Sequence, residues 1–181
     1  MNYYYCNYCQ NLAPENIHRQ HHDTVYGLAI EDDNELFGRL LLEINQAGLS
    51  WDTILKKEDN FRLAYSSFDI KSIANYTESD RERLLNDAGI IRNRLKINAA
   101  IVNAQRILEI QKEFGSFFNW IKIQQAKDIA EWVKLFKKEF KFVGGEIVNE
   151  FLMSIGRIDG SHSSSCYRHN EYMDSRIKWG L

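Results

Sequence analysis

The spacing of apolar residues constrains the fold most strongly, because it follows the period of an α-helix along most of the chain. The longest apolar face consists mainly of alanine and isoleucine: Ile97, Ala100, Ile101, Ala104, Ile107 and Leu108. This pattern predicts a long amphipathic helix at the centre of the core. No alternating strand pattern of useful length and no internal repeat is found. The sequence therefore predicts an all-α fold of about seven or eight helices around one core.

Shorter helical faces lie on both sides of this long face. They predict helices near residues 36–44, 54–68, 78–85, 117–121, 129–140 and 147–155. The second of these is expected to fray at its end, and the last, after the break at Gly144-Gly145, to be the final helix. Residues 1–31 and 156–181 lack such faces and are expected to be irregular. A length of 181 residues fits a single domain, with its helical core at residues 32–155.

Charge and composition limit the possible functions. A net charge of −2 excludes a uniformly basic surface, so contact with nucleic acid would require a local patch. No apolar run approaches the roughly 20 residues that span a bilayer, and the N-terminus lacks a signal-peptide pattern. Three cysteines do not indicate a disulfide framework. We expect a cytoplasmic monomer with no membrane partner and no organic cofactor.

One ten-residue string, Leu42-Glu43-Ile44-Asn45-Gln46-Ala47-Gly48-Leu49-Ser50-Trp51, joins two predicted helices. Gly48 is suited to the turn, and Ser50 is suited to cap the next helix. Glu43 falls at the edge of an apolar face, where a partly buried carboxylate is unusual without a function. The alternative is an edge charge paired with a basic residue, with Trp51 as an ordinary core residue.

A short helix, a tight turn and a long helix follow at residues 78–110. Gly89 marks the turn, and Arg92, Arg94 and Lys96 lie just beyond it. Backbone N–H groups and basic side chains at such a tip are suited to contact a phosphate backbone without reading its sequence. The alternative is a common αα-hairpin with a solvated basic end.

Cysteine and histidine residues concentrate near the two ends of the chain. His162 and Cys166 are four residues apart, which places both on one helical face or turn. Cys6 and His22 would complete a Cys₂His₂ tetrahedron that links the two ends, although Cys9, His18 or His21 could replace one of them. The alternative is three free thiols and surface histidines.

Taken together, these strings resemble the 3-methyladenine DNA glycosylase I family, within the helix-hairpin-helix glycosylases. The resemblance extends from Cys6 to Cys166 and includes the Leu42–Trp51 string, Asp87-Ala88-Gly89-Ile90-Ile91-Arg92 and Phe140-Lys141-Phe142-Val143-Gly144. It implies double-stranded alkylated DNA as the partner, bound through Gly89, Arg92, Arg94 and Lys96. It also implies structural zinc at Cys6, His22, His162 and Cys166.

The resemblance further assigns Glu43 as the catalytic carboxylate and Trp51, Gln46, His21, His18 and Tyr8 as the base pocket. The Gly/Pro loop and catalytic aspartate common among helix-hairpin-helix glycosylases are missing, because no proline follows Pro14. An adenine methylated at N3 is already cationic and needs no general acid. The expected activity is therefore monofunctional excision of 3-methyladenine by water in base excision repair, without a Schiff-base lysine.

The chain departs from the family pattern around the expected pocket. His18 and His21 align with positions that are usually aromatic, Tyr8 and Tyr26 with positions that are usually Trp, and Leu95 with a small residue. These changes define the alternative of a catalytically altered or inactive DNA-binding protein held by zinc. Retention of Glu43, Gln46 and Trp51 favours the enzyme, since a protein that only binds DNA has no need of the carboxylate.

Overall fold

The structure, a computed structural model, describes residues 3–181, and of Tyr3 the backbone only. Those residues form twelve α-helices and two short 3₁₀ helices, at Ser66–Phe68 and Ile177–Trp179, and contain no strand. The α-helices are α1 (Tyr3–Gln10), α2 (Ile17–Thr24), α3 (Asp33–Gln46), α4 (Trp51–Leu55), α5 (Glu58–Ala64), α6 (Ile70–Ala74), α7 (Glu78–Asn86), α8 (Arg94–Phe114), α9 (Phe117–Ile123), α10 (Ile129–Glu139), α11 (Gly145–Ser154) and α12 (His169–Arg176). The all-α prediction is confirmed, but the predicted number of helices was too low.

The helices group into two compact units. Residues 3–30 with Glu150–Leu181 form one, called here the terminal unit, and Glu31–Asn149 form the other, called the central unit. That the two units make up one domain stays a prediction. Within residues 3–181, no helix combines the length and apolar character that crossing a bilayer requires.

Helix α8 is the long helix of the central unit, as predicted. The Asn93 side chain caps it by accepting hydrogen bonds from the N–H groups of Leu95 and Lys96, at 3.0 and 3.2 Å. Its Ala and Ile face is buried, and it packs against α3, α6, α7 and α9. Gly115 ends the helix with a φ of +83°, a conformation that favours glycine.

Helix α3 begins at an acidic pair. Asp32 caps it by accepting a hydrogen bond from the Glu35 N–H. The Asp33 carboxylate accepts hydrogen bonds from the N–H groups of Phe117 and Phe118, at 2.8 and 3.0 Å, and therefore also caps α9. One carboxylate thus fixes the start of α3 against a neighbouring helix.

The prediction of one continuous helix over residues 54–68 was wrong. The segment instead forms α4, α5 and a 3₁₀ turn, and Ser66, Ser67 and Phe68 all have positive φ angles, between 50° and 62°. Such backbone cannot continue a right-handed helix. The Phe68 ring then packs so closely on α3 that a Cβ at Gly38 would lie 2.7 Å from its Cγ.

The prediction of irregular chain ends was wrong in part, because α1, α2 and α12 form there, whereas residues 156–168 contain no helix. Asn16 caps α2 by accepting a hydrogen bond from the His18 N–H at 2.9 Å. The buried residues of α1 and α2 include Cys6, Cys9, His21 and His22 rather than large aliphatic side chains. Apolar periodicity therefore does not reveal these helices, and α11 is not the final helix.

Candidate active site and metal cluster

A buried carboxylate lies close to the end of α3. Glu43 is 4% exposed, and the helix ends one turn later at Gln46, which is half-buried. Gly48 turns the chain with a φ of +82°, and the Leu49 N–H donates to the Gln46 carbonyl at 2.7 Å. The helix, turn and helix that the sequence predicted are therefore present.

Trp51 is the first residue of the helix that follows this turn. The Ser50 side chain accepts a hydrogen bond from the Thr53 N–H at 3.3 Å, which confirms Ser50 as the N-cap of α4. The indole is half-buried and so presents part of its surface. The turn therefore keeps a buried carboxylate and a partly exposed aromatic ring within one short stretch of the central unit.

The hairpin between α7 and α8 is closed by side chains as well as backbone. The Gly89 N–H donates to Asp87 Oδ1 at 2.7 Å, and a Cβ on Gly89 would lie 2.9 Å from that oxygen. Lys57 Nζ donates to the carbonyls of Ala88 and Gly89, at 3.0 and 3.1 Å. Lys57 was not predicted as a site residue, because its partners lie about thirty residues away in the sequence.

The predicted DNA-contacting cations differ in their surroundings. Arg92 and Arg94 are exposed, and Arg94 forms a 3.4 Å ion pair with Glu78. Two exposed guanidinium groups at the tip of a helical hairpin can contact phosphates. Their role in DNA binding stays a prediction.

Lys96 does not fit the predicted role. It is 4% exposed, and its ammonium donates to the carbonyls of Asn45 and Ala47 at 2.8 Å each. Burial lowers its pKa from the usual value for lysine. An ammonium enclosed in this way is not presented to a DNA backbone, so the sequence prediction for Lys96 is corrected.

The other predicted pocket residues, Tyr8, His18 and His21, lie in the terminal unit. Tyr8 is 50% exposed and its ring meets the His18 ring edge-on, with centroids 5.5 Å apart. His21 is buried, and its ring centroid lies 5.9 Å from that of Tyr26. Their participation in a base pocket stays a prediction.

Four side chains of the terminal unit form a buried cluster that could hold a metal ion. Their ligand atoms all lie within 4.8 Å of one another, and the residues are Cys6, His22, His162 and Cys166. Cys166 Sγ lies 3.3 Å from His162 Nδ1 and 3.5 Å from His22 Nε2. Sulfur and nitrogen ligands of a tetrahedral zinc ion would lie about 3.5 Å apart, so these separations fit such an ion.

Hydrogen bonds outside the cluster fix which nitrogen each histidine presents. His22 Nδ1 lies 2.7 Å from Asp23 Oδ1, which leaves Nε2 toward the cluster. His162 Nε2 lies 2.7 Å from the Tyr26 carbonyl oxygen, which leaves Nδ1 toward the cluster. Partners of this kind are typical of histidines that bind metal.

The thiol chemistry of the cluster also fits a metal. Burial raises the pKa of Cys166 to about 11, so a bound cation would be needed to hold it as a thiolate at neutral pH. Cys9 lies outside the group of four, and burial raises its pKa to about 12. Its thiol donates to the His18 carbonyl at 3.5 Å. Cys9, His18 and His21, which the sequence left as alternatives, are therefore not among the converging side chains.

Comparisons with known proteins identify the family of the chain. A family model described as methyladenine glycosylase matches residues 11–134. The chain is 33% identical to DNA-3-methyladenine glycosylase 1 of Escherichia coli (strain K12), over 90% of this chain and 98% of the relative. It is 30% identical to DNA-3-methyladenine glycosylase of Haemophilus influenzae, over 87% of this chain and 95% of the relative.

Solved structures that resemble the chain also belong to 3-methyladenine DNA glycosylases. The 3-methyladenine DNA glycosylase I of Staphylococcus aureus matches with a TM-score of 0.79 and 30% identity, covering 90% of this chain and 96% of that one. A variant of 3-methyladenine DNA glycosylase I in complex with 3-methyladenine matches with a TM-score of 0.77 and 30% identity, covering 86% and 93%. The fold and these matches define a helical DNA glycosylase. The chain belongs to the 3-methyladenine DNA glycosylase I family.

Proposed function

We propose that the protein is a monofunctional DNA glycosylase that excises 3-methyladenine from alkylated duplex DNA in base excision repair. Family membership supports this activity, and so do relatives that carry the name. Within this chain, one observation carries the proposal: Glu43 is buried near the end of α3, close in sequence to a partly exposed Trp51. A carboxylate that is buried beside a turn carrying an aromatic ring is typical of an active site.

The reaction we propose needs little proton transfer. Methylation at N3 gives adenine a positive charge, so the bond from the sugar C1′ to N9 can break with its electron pair moving into the base. Water then adds to C1′ and loses a proton to solvent, leaving an abasic site and neutral 3-methyladenine. The flipped nucleotide has to be held and its charge recognised.

Glu43 and Trp51 supply these two functions in the proposal. A carboxylate in a dry site attracts a cationic base more strongly than one in water, because the effective dielectric constant is lower. The indole of Trp51 also favours a cation, because the face of an aromatic ring carries partial negative charge. Neutral adenine lacks the charge that both groups recognise, so the pair would discriminate the lesion from undamaged bases.

The bonding of Lys96 supports hydrolysis rather than Schiff-base chemistry. A lysine nucleophile needs a free lone pair and access to the sugar C1′, whereas Lys96 is buried and directs its Nζ to two backbone carbonyls at 2.8 Å each. The proposed enzyme therefore releases the base without cleaving the strand.

We further propose that the Cys/His cluster holds zinc. Two thiolates and two imidazoles form a donor set that zinc prefers, and four protein ligands leave no position for a reactive water. The ion would supply a cross-link between the first and last segments of the terminal unit, and no catalytic step. The cluster lies in a unit whose described helices bury few large aliphatic side chains, so such a link would add to its stability.

Release of free base from methylated duplex DNA tests the proposed activity, with wild type measured beside Glu43→Gln and Trp51→Ala. Glu113→Gln, an exposed change on α8, is the matched control. We expect the control to release 3-methyladenine at the wild-type rate and both pocket variants to release it more slowly. Normal release by folded Glu43→Gln would contradict the proposed role of the carboxylate. Absence of release by folded wild type would favour a DNA-binding protein instead.

A further inference from the structure

Lys96 has an unusual environment for a cation. It is buried, and among the described residues the only hydrogen-bond partners of its ammonium are two backbone carbonyls, with no carboxylate to neutralise the charge. Removing a charge from water without an opposite charge is unfavourable unless its hydrogen bonds compensate. The geometry points to Lys96 as a positioning residue for the Glu43–Trp51 segment, an inference that rests on the proposed glycosylase function.

The position of Lys96 in its own helix makes burial of the ammonium still less favourable. Lys96 lies in the first turn of α8, where the N–H groups of the helix already give a partial positive charge. A lysine at this end works against the helix dipole, which favours anions. The sequence thus places a cation where neither burial nor its own helix stabilises it.

The end of α3 supplies the compensation. The two carbonyls that accept from Lys96 belong to Asn45 and to Ala47, which is the C-cap residue of α3. Carbonyls at a helix C-terminus carry partial negative charge and lack partners within the helix. Lys96 therefore caps α3 across a sequence separation of about fifty residues.

An aromatic side chain covers the same ammonium. The centroid of the Phe142 ring lies 5.9 Å from Lys96 Nζ, within the range of a cation–π contact. Phe142 has a φ of +58°, an uncommon conformation for a bulky residue. Backbone groups of the preceding Lys141 are fixed by the buried Asn103 side chain, which accepts from the N–H at 2.7 Å and donates to the carbonyl at 3.1 Å. Asn103 of α8 thus fixes the backbone next to Phe142, whose ring lies over the Lys96 ammonium.

The functional consequence follows from which carbonyls are held. Asn45 and Ala47 lie between Glu43 and Trp51, so the ammonium fixes the backbone that separates the carboxylate from the aromatic ring. The same lysine lies two residues after Arg94, one of the two exposed arginines that are predicted to contact DNA. Lys96 thus links the predicted DNA-contacting hairpin to the segment that recognises the base, without touching either DNA or base itself.

The test compares Lys96→Met, which keeps length but removes the charge, with Lys96→Arg, which keeps the charge. Lys112→Met, an exposed change at the far end of the same helix, is the matched control. Single-turnover release of 3-methyladenine and affinity for duplex DNA with an abasic-site analogue are measured well below the melting temperature. Misplacement of a reacting group by about 1 Å can reduce a rate by about a hundredfold. We expect Lys96→Met to release base ten- to a hundredfold more slowly with affinity within about twofold of wild type, and Lys96→Arg to be intermediate.

The outcomes separate positioning from other roles. A wild-type rate in Lys96→Met overturns the inference, and so does a loss of DNA affinity that matches the loss of rate, which would indicate a phosphate contact. If Lys96→Met does not fold, the rate of base release by Lys96→Arg decides. A Lys96→Arg rate equal to that of wild type and of Lys112→Met would show no sensitivity to the geometry at this position and would overturn the inference.

If wild type and the control release no base, the proposed function fails, and amide hydrogen exchange then decides the inference. Faster exchange confined to residues 43–51 in Lys96→Met would support positioning of this segment. Unchanged exchange there would overturn it.

Discussion

Asp23 gives a quantitative prediction for the metal cluster. Its carboxylate lies 2.7 Å from His22 Nδ1, also accepts from the Tyr167 hydroxyl, and is 23% exposed. The negative charge of Asp23 favours the tautomer of His22 that carries its proton on Nδ1, and this tautomer leaves Nε2 free to bind the metal. Asp23→Asn removes that charge. Loss of such a partner typically lowers metal affinity ten- to a hundredfold, which corresponds to about 1.4–2.8 kcal/mol. We expect a change in this range for zinc.

Competition against a chromophoric chelator at neutral pH measures this affinity directly. Asp174→Asn is the matched control, because Asp174 lies exposed on α12 and is not one of the group of four. We expect the control to bind zinc as wild type does. An affinity of folded Asp23→Asn within twofold of the control would refute the reasoning, as would the absence of zinc binding by folded wild type.

Three further predictions concern packing, DNA contact and ligand identity. Gly38→Ala should destabilise the protein by about 1–3 kcal/mol in denaturant unfolding, because its methyl group would overlap the Phe68 ring; an unchanged midpoint would contradict this packing. Arg92→Ala should weaken binding to undamaged duplex DNA and reduce the salt slope by about one, whereas Lys112→Ala should change neither; equal slopes would argue against a phosphate contact. Cys166→Ser should lose bound zinc by elemental analysis while Cys9→Ser keeps it, and the reverse result would reassign the ligands.

Much of the central unit could be predicted from sequence, because aliphatic residues at helical spacing determine it. The face of α8 and the α3–Gly48–Ser50 boundary appear in the structure as the pattern indicated. The break at Ser66–Phe68 could not be read in this way, since three successive residues with positive φ carry no glycine signal. Their conformation accompanies the tertiary packing of Phe68 on Gly38, which local spacing does not encode.

The candidate site was predictable in its residue types and less so in their surroundings. Spacing and resemblance identified Cys6, His22, His162 and Cys166, and the structure brings these four together. Lys96 was misassigned because its partners lie about fifty residues earlier, where no sequence window includes both. Asp23 was overlooked for a different reason, as a carboxylate next to a histidine is common and gains meaning only from the orientation of the ring.

The most direct test of the central claim is the identity of the products that wild-type protein forms from methylated duplex DNA. Chromatography measures the released bases, and gel analysis measures strand cleavage. Treatment with borohydride before the gel traps any covalent protein–DNA intermediate. The account predicts free 3-methyladenine, intact strands carrying abasic sites, and no covalent protein–DNA complex after reduction. Strand cleavage with a trapped complex would contradict hydrolysis, and the absence of released base from folded protein would contradict the glycosylase function.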